Sequence, residues 1–224
     1  MTLSPAQKAA ATRRARKAAM IAPARAPGLA DAGQLGDLAL LATFIGQQAD
    51  VLIREFGTLA ATVAAPLERI AELTGTTTAR TVKALAMAAI SVTRGELAGK
   101  CCLSSFAAVT DYLRASMRTE GTEQFRVLFL NKRNELVADE VMGVGTIDHV
   151  PVYPREVAKR ALELGASAIF LSHNHPSGDP TPSSADVEMT KELVKVMGVF
   201  GIAIYDHIIV GRNDIASLKG LRMM

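Results

Sequence analysis

From Asp31 to about Ala98, apolar residues recur at the spacing of one helix face. Leu38, Leu41, Ala42 and Ile45 form one such stripe and stop at Gly46, a residue suited to closing a helix. Ala49 to Phe56 carries Val51, Leu52, Ile53 and Phe56 and breaks at Gly57. Pro66 opens a further short helix that runs through Leu73 and ends at Gly75. Thr81 to Thr93 reads as a longer, Ala-rich helix with Val82, Leu85 and Ile90 on or near one face. Short helices joined by tight turns predict a small all-α domain over residues 31–100.

The texture changes after Lys100. Ser104 or Ser105 is placed to cap a helix reaching about Met117, with Phe106, Val109 and Leu113 toward the core. Phe125 to Leu130 and Leu136 to Met142 read as strands joined by a hairpin turn at Asn131-Lys-Arg-Asn134. Pro154 starts a helix over Arg155 to Leu164, ended by Gly165. Ala166 to Ser172 is a nearly continuous apolar run, the mark of a strand covered on both faces. A helix from about Ser184 to Met197 follows, then two short strands near Ile202–Tyr205 and His207–Val210. Residues 102–224 are therefore expected to form an α/β domain with a mixed sheet.

Composition narrows the class. With 49% hydrophobic and 21% charged residues over 224 positions, the chain can bury a core and is not globally disordered. No apolar run approaches the roughly 18 residues that cross a bilayer, so no membrane span is expected. Aromatics are 4% with no Trp, which disfavours a base-stacking platform. Cys101 and Cys102 are adjacent, a poor geometry for a disulfide, and a reducing cytoplasmic setting fits. Charge is unevenly placed. Of the formal net +3, Lys8, Arg13, Arg14, Arg16, Lys17 and Arg25 put six positive charges in residues 1–30, which hold no acid, so the rest carries −3. Residues 1–30 read as a basic, solvated tail, with a short helix from Lys8 to Met20 able to make weak contact with DNA phosphates.

The chemistry is concentrated in His173-Asn-His-Pro-Ser-Gly-Asp-Pro-Thr-Pro-Ser-Ser-Ala-Asp186. In extended chain, residues i and i+2 face the same side, so His173 and His175 can aim both imidazoles at one point. A Pro- and Gly-rich turn of ten residues then leads to Asp186 in the first turn of the next helix, where its carboxylate can fold back onto them. Two imidazoles and a carboxylate make a three-ligand set for one Zn²⁺ per chain, with a fourth position for water, the pattern of a hydrolytic zinc. Such a water needs a base and the substrate carbonyl needs a donor. Glu123, Glu135 and Glu140 are candidates for the base, and Ser183 for the donor. Ser183-Ser-Ala-Asp186 is also a helix capping box, a duty compatible with the chemical one. Arg155 is a candidate to orient substrate or pin the motif loop, and Asp206 and His207 to hydrogen-bond a metal-bound imidazole.

This segment resembles the JAMM (MPN+ or JAB) metallopeptidase motif, His-x-His followed by ten residues and Asp, with Ser three before the Asp. Together with Val152-Tyr-Pro-Arg-Glu-Val157, Gly145-Thr-Ile147 and Asp206-His-Ile-Ile-Val-Gly211, it is more specifically similar to the bacterial RadC family over about residues 102–224. The resemblance implies a cytidine-deaminase-like α/β fold and zinc-dependent cleavage of an amide or isopeptide bond in a protein or peptide. It matches His173, His175 and Asp186 to the zinc ligands and Ser183 to the oxyanion-side serine. It matches Glu123, just ahead of the first strand, to the catalytic glutamate, with Glu140 the alternative if the register differs. The N-terminal half resembles the family's helical domain, whose helix-hairpin-helix-like element falls at Leu73-Thr-Gly-Thr-Thr-Thr-Ala-Arg80. Gly75 keeps its place there, but Thr77 stands where a second glycine would let a phosphate approach, so packing or partner docking is expected of this hairpin.

The leading expectation is thus a zinc metallohydrolase of the peptidase type. The alternative is a DNA-associated repair or recombination factor whose metal site is secondary or idle, motivated by the basic tail and the hairpin-like helices.

Overall fold

The computed structural model describes residues 36–97, 101–102, 105–145 and 151–224. The basic tail, Ser104 and the Thr146-Ile147 stretch lie outside the described residues. Among the described residues, five helices make up the first region: α1 (Asp37–Ile45), α2 (Gln48–Phe56), α3 (Leu59–Ala64), α4 (Leu67–Thr74) and α5 (Thr76–Leu97). Their cluster is built on Leu41, Ala49, Leu52, Ile70, Ala79 and Val82; Leu41, Leu52 and Val82 lie on the expected stripes, whereas Leu38 and Val51 of those stripes are exposed. Gly75 turns α4 into α5 with φ +87°, a backbone angle that glycine adopts without strain.

Two departures from the sequence reading occur here. Helix α3 was not expected: its six residues are too few for a periodic stripe, and its signal is the cap, where Thr58 accepts from the Ala61 amide. Helix α5 is 22 residues long, well beyond Thr81–Thr93 at both ends. The three threonines at its start are weak helix formers, but Thr78 is buried and its hydroxyl bonds the Gln48 side chain, so tertiary contact overrides propensity. No helix among the described residues is long and apolar enough to cross a membrane.

The second region comprises α6 (Phe106–Met117), β1 (Gln124–Leu130), β2 (Leu136–Val144), α7 (Pro154–Glu163), β3 (Ala168–Asn174), α8 (Ser184–Val199), β4 (Ala203–Val210) and β5 (Ile215–Ser217). Ser105 stands before α6 without donating or accepting a side-chain cap bond. The sheet order is β2-β1-β3-β4-β5, with β3 and β4 parallel and the other pairs antiparallel, so it is mixed as expected. Alternation assigns the faces. Phe125, Val127, Phe129, Ile169 and Leu171 meet α7 and α8 on one face. Leu128, Leu130, Ala168, Phe170, Ile208 and Val210 meet α6 and Leu97 on the other. Burial on both faces is why β1 and β3 read as continuous apolar runs.

The two strands expected near Ile202–Tyr205 and His207–Val210 are one strand, β4. The register slips where Ile204 pairs with Ile169 and Asp206 with Phe170, leaving Tyr205 as an extra residue. Such a bulge breaks the alternation in sequence without ending the strand. Strand β3 also runs later than Ala166–Ser172, so His173 and Asn174 are its last residues rather than the start of a loop.

Candidate metal centre

Strand β3 delivers His173 to the rim of the sheet on the α7–α8 side, and His175 follows one residue past its end. The turn beyond is tied to the end of β4 by the His175 amide, which donates to the Val210 carbonyl at 3.0 Å, and the Arg212 amide, which donates to the Gly178 carbonyl at 3.0 Å. Gly178 has φ +94°. Opposite it, Gly211 has no room for a side chain, because a Cβ there would stand 2.5 Å from the Gly178 oxygen and 2.8 Å from Pro180 Cδ. Asp179 accepts from the Thr181 amide and hydroxyl at 2.9 and 2.7 Å, which shapes the chain into the start of α8.

Ser183 and Asp186 form the capping box. Ser183 Oγ accepts from the Asp186 amide at 3.1 Å, and Asp186 Oδ2 accepts from the Ser183 amide and hydroxyl at 2.8 and 2.7 Å. With Oδ2 held in the cap, Oδ1 turns toward His173 Nε2 at 3.3 Å, while His175 Nε2 lies 3.7 Å from Oδ2. The two Nε2 atoms are 2.9 Å apart.

Three ligand atoms from His173, His175 and Asp186 thus share one locus. A tetrahedral zinc with bonds near 2.0–2.2 Å separates its ligand atoms by about 3.3 Å, so the set fits with small adjustments. Donor chemistry agrees for His175. Its Nδ1 lies 2.7 Å from the Asp179 carbonyl, which only accepts, so Nδ1 carries the proton and Nε2 can face the cation with a lone pair.

Electrostatics match an anion held between imidazoles. Burial works against the Asp186 charge, but His173, His175 and the Ser183 hydroxyl hold its carboxyl far below the usual carboxylate range. The Asp186 carboxylate in turn raises His175 above its ordinary value, against burial. His173 Nδ1 lies 2.8 Å from Nε2 of His207, a fully buried ring on β4 that burial pushes well below its ordinary pKa and keeps neutral. The edge of the Phe125 ring closes over His207, with centroids 5.9 Å apart.

The cleft over these groups holds about 480 Å³. Glu123, Ser183, Asp186, Glu188 and Glu192 line it with Phe125, Tyr153 and Met189, and no lysine or arginine does so among the described residues. Glu123, the residue before β1, is therefore brought to the same cleft as His173 and Asp186. Glu140 is not. It lies mid-strand in β2, gripped by Arg160 Nε and Nη2 of α7 at 2.7 to 3.0 Å, which holds its carboxyl below the ordinary range. Glu135 stays at the hairpin, bonded to Asn131 and Arg133.

Two further candidates take other roles. Arg155 does not pin the motif loop: it is exposed, pairs with Glu156 at 3.3 Å and lies over the Tyr153 ring. Asp206 makes no bond to an imidazole, because neighbours along a strand face opposite sides and it points away from His173. It accepts instead from the His207 and Lys219 amides and the Ser217 hydroxyl, fastening β4 to the C-terminal turn.

Sequence reasoning missed two residues. Asn174, between the histidines, points to the opposite side. It accepts from the Gln124 amide at 2.9 Å and donates to the carbonyls of Thr122 and Glu120 at 3.0 and 3.3 Å, bracketing Glu123. Thr190, one helical turn after Asp186, reaches both the Asp186 carbonyl and His207. The only sequence signal for either is its offset from a ligand candidate.

The family model described as a RadC-like JAB domain matches residues 103–223, a span that contains every element of the sheet, the three ligand candidates and Glu123. With more than half of its length in that match, the chain belongs to the RadC-like JAB domain family.

Proposed function

We propose that the chain is a zinc-dependent metallohydrolase that cleaves amide or isopeptide bonds in a peptide or protein substrate. The observation that carries this reading is the convergence of His173, His175 and Asp186 on one point beneath a cleft that Glu123 also lines. His173 and His175 hold the ion through Nε2 and Asp186 through Oδ1. A zinc ion so bound supplies a water whose pKa falls toward roughly 7 and an electrophile for the substrate carbonyl.

The chain's own groups do the rest. The Glu123 carboxylate takes a proton from the attacking water as the C–O bond forms, then returns it to the amine as the C–N bond breaks. Ser183 donates to the substrate carbonyl oxygen, exchanging its present acceptor, Asp186 Oδ2, for that oxygen. Acidic walls favour an amide over a phosphodiester, because Glu123, Glu188 and Glu192 would repel a phosphate approaching the ion.

Metal analysis of the purified chain is expected to give about one zinc per protomer, with a sharp fall in His173→Ala. Glu123→Gln should keep its zinc and lose about 10²- to 10⁴-fold in cleavage of an isopeptide-linked peptide library read by mass spectrometry. Native zinc content in His173→Ala, or native cleavage by Glu123→Gln, would overturn the assignment.

A further inference from the structure

We infer that Thr190 and His207 form a one-directional hydrogen-bond relay that fixes the proton of His173 on Nδ1 and so keeps its Nε2 open toward a cation. The inference rests on the metal-binding half of the reading above, not on hydrolysis.

The direction follows from the groups at each step. Thr190 Oγ1 lies 2.6 Å from the backbone oxygen of Asp186. A carbonyl only accepts, and two oxygens this close need a proton between them, so the hydroxyl donates there. That uses the one proton Thr190 has. Toward His207 Nδ1, 2.5 Å away, the hydroxyl can therefore only accept, which places a proton on that nitrogen. A neutral imidazole carries a single N–H, so His207 Nε2 presents a lone pair. His173 Nδ1, 2.8 Å off, donates to it.

All three side chains are buried, with Thr190 and His207 wholly excluded from solvent, so no water competes for these bonds. The opposite polarity would leave the Thr190 and Asp186 oxygens in contact without a proton and put the His207 proton on Nε2. His173 Nδ1 would then have to accept, and its own proton would sit on Nε2, at the ligand position. The relay is anchored in the residue it serves: it ends on the Asp186 carbonyl, while the Asp186 carboxylate is a ligand. Thr190 and His207 are positioning residues, acting through His173.

Long-range proton–nitrogen spectra of the imidazole rings test this in the native chain, metal-free and zinc-loaded. His207 should carry its proton on Nδ1 and none on Nε2, with Nδ1 of His173 protonated throughout. A His207 proton on Nε2 overturns the relay. Thr190→Val should weaken zinc binding about 10- to 100-fold in chelator competition, with Thr190→Ser restoring it. A folded Thr190→Val that binds zinc as tightly as the native chain also overturns it, and if that variant fails to fold the ring spectra decide. A chain that shows the expected ring pattern and binds zinc but cleaves no amide refutes the hydrolase proposal and leaves the relay standing.

Discussion

Tyr112 of α6 is buried under the sheet and donates its hydroxyl to Asp139, which Arg126 also grips at 2.7 Å. Burial first, and the Asp139 carboxylate second, push the phenol up to about 12 from its ordinary 10. A raised pKa favours the protonated form in the folded chain, so its contribution is complete below pH 10 and is lost as pH rises from 10 to about 12. In an alkaline absorbance titration, one of the three tyrosines should ionise late, and Tyr112→Phe should remove that step. At Asn174 the consequence is chemical. Asn174→Ala frees the segment that carries Glu123, so cleavage should fall about tenfold or more while zinc content stays native, because neither imidazole is touched. The grouping of His173, His175 and Asp186 was legible because His-x-His at a strand end and Asp in a capping box are local patterns. Thr190 was not, because its partners come together only through the packing of α8 on β4.

Between elements, Gly211 at the end of β4 leaves no room for a Cβ against Gly178 and Pro180 of the motif loop. Gly211→Ala should destabilise the chain by about 1–3 kcal/mol and move the loop that carries His175. Thermal unfolding and chelator competition together would show it, with zinc affinity falling although no ligand has changed. Neighbouring elements show where sequence reading succeeds. The stripes of α1 and α2 and the continuous buried runs of β1 and β3 extend over most of each element. The bulge at Tyr205 and the six residues of α3 are shorter than the period that would announce them. The early start of helix α5 had no local signal, because the partner of Thr78, Gln48, lies 30 residues away in sequence.

Across the molecule, the helical region and the sheet are joined at the end of α5, where Leu97 is buried with Val109, Leu113 and Phe170. A boundary near residue 100 is thus crossed by core packing. Leu97→Ala should destabilise the sheet domain by about 2–5 kcal/mol, measured by denaturant unfolding. The run of helices ahead of a mixed sheet was readable from the change of period, whereas this shared cluster depends on how α5 meets α6. Helix α8 makes the other long-range link, with Asp186 at one end and Leu193 and Met197 deep in the core at the other. An ion that pulls on Asp186 therefore pulls on a rod embedded in the interior. On the proposed reading, occupancy would contribute about 4 kcal/mol to folding free energy at a thousandfold excess of zinc over its dissociation constant. Stripping the ion should then lower the melting temperature of the whole sheet and loosen no single loop first.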